Sequence, residues 1–393
     1  MGRHSEVVIP DRARVVGVDV ARGLALLGMF AVHIFPTFTD DGGPTVATLV
    51  AGGRSAATFV LVAGIGLAFV SGRPVVRGAD RPGVAAGLVV RAALIGSLGL
   101  VLGVLSEDNR IYGILPYYGL YFLLAVPLIG LSARALAVVA AALAVLGPVL
   151  LVATADVDLP GREWNGDPTF GSLFDDPATL LTTLVVTGEY PAVVYLAYLC
   201  AGMAIGRLDL GSRRPAWSIL GVGAGLAVTA EVVSAVVLRQ RSPLTPAAIW
   251  QPELSSSWWY LALPAPHSHS IVDVVHVLGS AMVVVGAALL VTRVAVAAWL
   301  LQPLAAAGSM ALTLYSTHLV VLASGVLDDD PLARYLLIVV PALTFAVLWR
   351  WLFGRGPLER VVTAAAGATR RATTALVSRR AAPVPGAPPP AGS

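Results

Sequence analysis

The sequence predicts an all-α polytopic membrane helix bundle of about ten transmembrane helices, with both termini in the cytoplasm. Composition is the first observation: 57% of the 393 residues are hydrophobic, 12% are charged and mean hydropathy is +0.81, where soluble domains carry about 25% charged residues. Periodic apolar runs are the second. Each is near the roughly 20 residues that cross a hydrocarbon core at about 1.5 Å per residue. Arginine asymmetry is the third, and it sets the orientation.

Taken in order, the runs cover 15 to 35, 46 to 71, 83 to 105, 111 to 131, 133 to 154, 188 to 207, 216 to 238, 272 to 292, 299 to 327 and 332 to 353. The second and ninth are interrupted by Gly or Ser. The first carries Asp19 and Arg22 and lacks a following A-x-A cleavage pattern, so it reads as a retained helix rather than a signal peptide. With the N-terminus inside, 17 arginines fall in inner segments and five outside (Arg110, Arg162, Arg239, Arg241 and Arg334). Residues 1 to 14 then form a cytoplasmic segment, 15 to 360 the transmembrane domain, and 361 to 393 a disordered Arg/Ala/Pro-rich cytoplasmic tail near anionic headgroups. The expected location is the inner (plasma) membrane. Two outer loops, 155 to 187 with Trp164, Phe170 and Phe174, and 239 to 271 with Trp250, Trp258, Trp259 and Tyr260, are long and aromatic. They read as interfacial belts or as a platform for a sugar ring or headgroup.

Several chemistries are excluded. The chain has no Lys, so no P-loop lysine and no lysine Schiff base. A single cysteine, Cys200, permits no internal disulfide and no cysteine metal cluster. There is no G-x-S-x-G, and nothing indicates nucleic-acid binding. The stretch PHSHSIVDVVH offers His267, His269, Asp273 and His276, but its spacing fits no metalloprotease helix, and no metal site is assigned.

Ionisable groups inside a membrane cost at least about 2.5 kcal/mol each at the helix centre, which makes them functional candidates. The first helix holds the densest set. Relative to Asp19, Arg22 lies at about −60° and His33 at about −40°, one stripe spanning about 21 Å of height. The alternatives are an i, i+3 interfacial ion pair for Asp19 and Arg22, and a histidine that merely bonds a carbonyl for His33. Arg54 in the second helix and Arg91 in the third either snorkel to phosphate or line an interior path. Glu231 in the seventh is either protonated or paired. The ninth, SMALTLYSTHL, places His318 near mid-membrane, where its ring nitrogens demand partners.

RVVGVDVARGLALLGMFAVHI, GGRSAATFVLVAGIGLAFVSGR, TGEYPAVVYLAYLCAGMAIGRLDL, GSMALTLYSTHLVV and FGRGPLERVV, in that order, resemble bacterial membrane proteins related to heparan-alpha-glucosaminide N-acetyltransferase, including the YeiB-like group. The resemblance runs over roughly residues 14 to 360, with V-D-x-x-R-G its most specific element. In the ninth helix Ser309 and Leu314 stand where relatives have Arg and Asn, and GPLER replaces GPLEW. The resemblance implies acyl transfer from cytoplasmic acetyl-CoA to an amine or hydroxyl of an extracytoplasmic glycan or glycolipid, with His33 as the matching histidine. In that scheme Arg22 and Arg91 meet the donor phosphates beside Asp19, and Arg54 stabilises the thioester oxyanion. His33 acts as general base or takes the acetyl group itself, and His318 is the second catalytic candidate. Expected partners are membrane lipids, the glycan acceptor and a second copy in a homodimer. A secondary transporter and a non-catalytic lipid-binding protein are the alternatives.

Overall fold

The computed structural model describes residues 15–72, 80–105, 113–162, 166–240 and 245–381. Helix α1 (Val16–Ile34) opens the bundle. α2 (Val46–Ala51) and α3 (Arg54–Ser71) form one span broken at Gly52 and Gly53, the latter at φ +64°. α4 (Asp80–Gly103) follows, then α5 (Leu115–Ala125), which tightens into a 3₁₀ turn at Val126–Gly130, and α6 (Ala133–Ala153). α7 (Phe170–Asp175), α8 (Pro177–Thr182) and α9 (Ala192–Gly206) lead to α10 (Arg213–Arg239). α11 (Pro246–Trp250), α12 (Ile271–Val291), α13 (Ala295–Leu300), α14 (Gln302–Ser309), α15 (Ala311–Ala323), α16 (Pro331–Phe353) and α17 (Pro357–Ala381) complete the described chain.

Among the described residues seven helices are long and apolar enough to span a membrane, and two bent pairs raise the number to nine. The fourth expected run differs. It forms only Leu115–Gly130, because Pro116 starts the helix late and Pro127 turns its end into 3₁₀ geometry. The sixth also differs: residues 177–187, expected in a loop, join α9 across a 57° bend at Gly188–Pro191. Trp164, the segment 1–14 and the Pro-rich end 382–393 lie outside the described residues.

The tail is a correction. Residues 361–381 are not disordered but continue α17. Small residues explain this: α17 lies against the start of α4, where added β-carbons at Gly83 and Gly87 would meet Thr374 and the carbonyls of Arg370 and Ala366 at 2.2 to 2.9 Å. An Ala- and Thr-rich sequence that is marginal as an isolated helix is held by that docking.

α1 sits at the centre, packed against α3, α12 and α14. Its contact with α14 is backbone to backbone, since a β-carbon on Gly308 would come within 1.9 Å of the Asp19 carbonyl oxygen. Arg207 gathers the ends of neighbouring elements by donating to Ser71 Oγ, the Gly72 carbonyl and the Ile129 carbonyl.

Candidate functional site

The ninth span breaks by 84° between α14 and α15, and a single stripe of α1 faces that break. Arg22 Nη1 lies 3.3 Å from Asp19 Oδ1 and donates to the Gly308 carbonyl at 3.1 Å. Three turns further along, His33 Nδ1 lies 3.0 Å from Nε2 of His318 on α15, with the rings stacked at 5.3 Å. Asp19, Arg22 and His33 therefore share the face the helix periodicity predicts.

The histidine pair has one consistent proton arrangement. His318 Nδ1 contacts the Tyr315 carbonyl oxygen, and a carbonyl only accepts, so Nδ1 carries the proton. In the neutral ring Nε2 is then an acceptor, and His33 Nδ1 donates to it. His33 Nε2 is left with its lone pair. His318 is 1% exposed, and Phe30 and Tyr315 pack on its ring at 4.4 and 4.8 Å between centroids, so the relay is held rigidly. Tyr315 Oη in turn accepts from the Ile114 amide at 3.1 Å at the start of α5.

Two cavities lie near this pair without being lined by either histidine: Tyr315, packed on His318, lines one, and Glu189 and His267, whose charges reach His33, line the other. One, about 200 Å³, is lined by Arg22, Arg91, Ser309, Glu359, Tyr118 and Tyr315 among others. Glu359 from α17 caps α15 there: Oε1 accepts from the Leu312 and Thr313 amides at 2.7 and 3.2 Å, and Oε2 accepts from Thr313 Oγ1 at 2.6 Å. A carboxylate thus satisfies the amides freed where the span breaks.

The other cavity, about 330 Å³, is lined by Glu189, His267, His269, Arg162, Tyr117 and Tyr260, with Thr183 and Thr187. Glu189 lies in the bend before α9, and its Oε1 is 2.9 Å from His267 Nδ1. His267 and His269 both hold left-handed backbone, at φ 61° and 53°, an uncommon conformation for these residues that aims alternate imidazoles at one cavity. Burial opposes the charge on His267, but the Glu189 carboxylate beside it overrides that and raises its pKa. Burial and the neighbouring His267 push His269 down to about 4.

The remaining candidates take other places. Arg54 lines neither cavity; it contacts the Gly52 carbonyl and His276 Nδ1, each at 3.4 Å. His276 Nε2 lies 3.4 Å from Glu231, so Glu231 is paired. Asp273 Oδ2 accepts from the His269 amide, and the His and Asp residues of PHSHSIVDVVH thus face different partners. Of the loop aromatics, Tyr260 reaches the larger cavity, while Trp258 and Phe174 are 62% and 77% exposed. Glu189 and Glu359 escaped the sequence reading. An acidic residue interrupting the apolar run TGEYPAVVYLAYLC was the signal for the first; for the second, nothing local shows that its partner lies 46 residues upstream.

The described residues thus form a polytopic bundle that holds a stacked imidazole pair, an arginine-lined cavity and an imidazole-lined cavity. The family model described as heparan-alpha-glucosaminide N-acetyltransferase, catalytic, matches residues 14–228, more than half of the 393 residues, and the chain belongs to that family. No curated protein matches the chain. The match takes in α1 with His33 and the cavity residues Arg91 and Glu189, and ends before His318 and Glu359. It carries transmembrane acetyltransferase and acyl-donor chemistry as a class.

Proposed function

We propose that this protein transfers an acetyl group from cytoplasmic acetyl-CoA to a hydroxyl or amine of an extracytoplasmic glycan or glycolipid, at the inner membrane. One observation carries the reading: the Tyr315 carbonyl, His318 and His33 form a hydrogen-bonded relay that does not use the His33 Nε2 lone pair, and Tyr315, packed on His318, lines the arginine-lined cavity. The acyl donor enters the arginine-lined cavity, where Arg22 and Arg91 suit its phosphates by their bidentate fork. The acceptor enters the larger cavity, whose carboxylate, imidazoles and hydroxyls suit a polyol ring. By helix rise, Arg22 and His33 stand about 16 Å apart, within reach of an extended pantetheine arm.

His33 Nε2 takes the acceptor's proton as the new bond to the acyl carbon forms and the carbon–sulfur bond breaks; the imidazolium returns that proton to the departing thiolate. His318 is a positioning residue that fixes the ring and tautomer of His33, as a buried orienting partner does in a triad. The arginine asymmetry supports the orientation, with the arginine-lined cavity inside and the acidic loops outside.

Broken spans are also a feature of secondary transporters. Here the two sharp bends fall in the sixth and ninth spans and the milder Gly52–Gly53 break in the second, positions that do not correspond between two halves, whereas repeat-built transporters place broken helices at corresponding positions.

The test is acetyl transfer by the purified chain from labelled acetyl-CoA to a panel of amino sugars and envelope glycolipids, with donor binding followed by calorimetry. His33→Gln should bind donor nearly as wild type while transfer falls by about 10² or more. His318→Gln should lose less and shift the pH profile of transfer. Wild type that binds no acetyl-CoA refutes the reading, and transport of a solute without acyl transfer would replace it.

A further inference from the structure

A third cavity, about 190 Å³, lies between α3, α4, the 3₁₀ turn and α17. It shares Leu67, Val70 and Arg91 with the arginine-lined cavity, so the two adjoin, with Arg91 standing at their junction. Its remaining walls are apolar at Val84, Leu88 and Ile129. The charged groups that line it are Arg91 at the junction and Arg370 of α17, and no carboxylate lines it. Arg370 Nη1 donates to the Val70 carbonyl at 3.0 Å, which holds the guanidinium at the wall of the cleft. An apolar slot with an arginine from each of two elements fits a phosphate-bearing chain: guanidinium forks on phosphates and a less polar portion along the walls.

We propose that the cleft between α4 and α17 holds the nucleotide end of the acyl donor, and that Arg370 is a phosphate-binding residue that selects coenzyme-A donors over donors lacking the nucleotide. This rests on the acyltransferase reading above. The nucleotide's own phosphate then lies at Arg370 and the diphosphate at Arg91 and Arg22, from which the pantetheine arm runs toward Tyr315, which lines the inner cavity and packs on His318. α17 is thereby part of the donor site. Glu359 at its start holds the break of the ninth span, and Arg370, three turns on, meets the donor.

The experiment is calorimetry on the purified full chain in nanodiscs of neutral lipid, with coenzyme A and S-acetylpantetheine as probes. Arg370→Ala should weaken coenzyme A by about tenfold or more, the scale of one charge-assisted hydrogen bond, and move S-acetylpantetheine by less than about twofold. Arg370→Lys should fall between. Thr363→Phe, which fills the cleft from α17 without changing charge, should also weaken coenzyme A, and it serves if Arg370→Ala does not fold. Equal losses for both probes would make α17 a structural wall only and overturn the proposal. So would an Arg370→Ala affinity for coenzyme A equal to wild type, which leaves the acyltransferase reading standing. If wild type binds coenzyme A in neutral discs but loses it when phosphatidylglycerol is added, and Arg370→Ala abolishes only that competition, the cleft belongs to lipid headgroups. Wild type that binds neither probe removes both readings.

Discussion

The two broken spans solve one physical problem in opposite ways. Backbone amides freed inside a bundle need partners, because lipid supplies none. At the 84° break between α14 and α15, a carboxylate arrives from another element: Glu359 of α17 accepts from Leu312 and Thr313, and no net donor is left facing the arginine-lined cavity from those positions. At the 57° break before α9, the chain presents its own carboxylate outward, and Glu189 meets His267 across the larger cavity. The first break is closed by a structural anion and is lined by cations; the second is itself an acidic, titratable wall. A donor bearing phosphates and a neutral or cationic acceptor would each find the complementary side.

Removing the Glu359 cap should have the largest effect. Glu359→Ala strands two amides and the Thr313 hydroxyl, which should cost about 3 kcal/mol. A large drop in thermal stability in detergent is expected, with Glu359→Gln intermediate because its carbonyl still accepts. An unchanged melting temperature would mean that the break is held by α1 alone.

Next in size is the α1 side of the same break. Asp19→Asn or Arg22→Gln leaves one charge of a shielded pair, which should lower stability by about 2 kcal/mol. The double change should recover part of it. Arg22 is also the donor to Gly308, so recovery should be incomplete. Additive losses measured in such a cycle would show that the two charges do not couple.

The smallest effect sharpens the second break. His267 is raised above its unfolded value of about 6.5. Its pairing with Glu189 is therefore fully stabilising below about pH 6.5 and is lost as pH climbs through the raised folded value. Thermal inactivation should quicken modestly over that rise, and Glu189→Gln should flatten the slope. A wild-type rate independent of pH between 6 and 8.5 would place the stabilisation elsewhere.

The class of structure follows from residue order alone. Apolar run length, arginine asymmetry and the 100° helix period gave the bundle and the shared face of Asp19, Arg22 and His33, because these depend only on residue order and local geometry. Even the interruptions of the second and ninth spans showed as glycines and serines. Only the tertiary structure decided that His33 meets His318, 285 residues away, that Glu359 caps α15, that Glu189 lines a cavity with two left-handed histidines, and that residues 361–381 form a helix. Each of these is a contact between elements far apart in the chain. Periodicity says which face of a helix is polar, and packing alone says what that face meets.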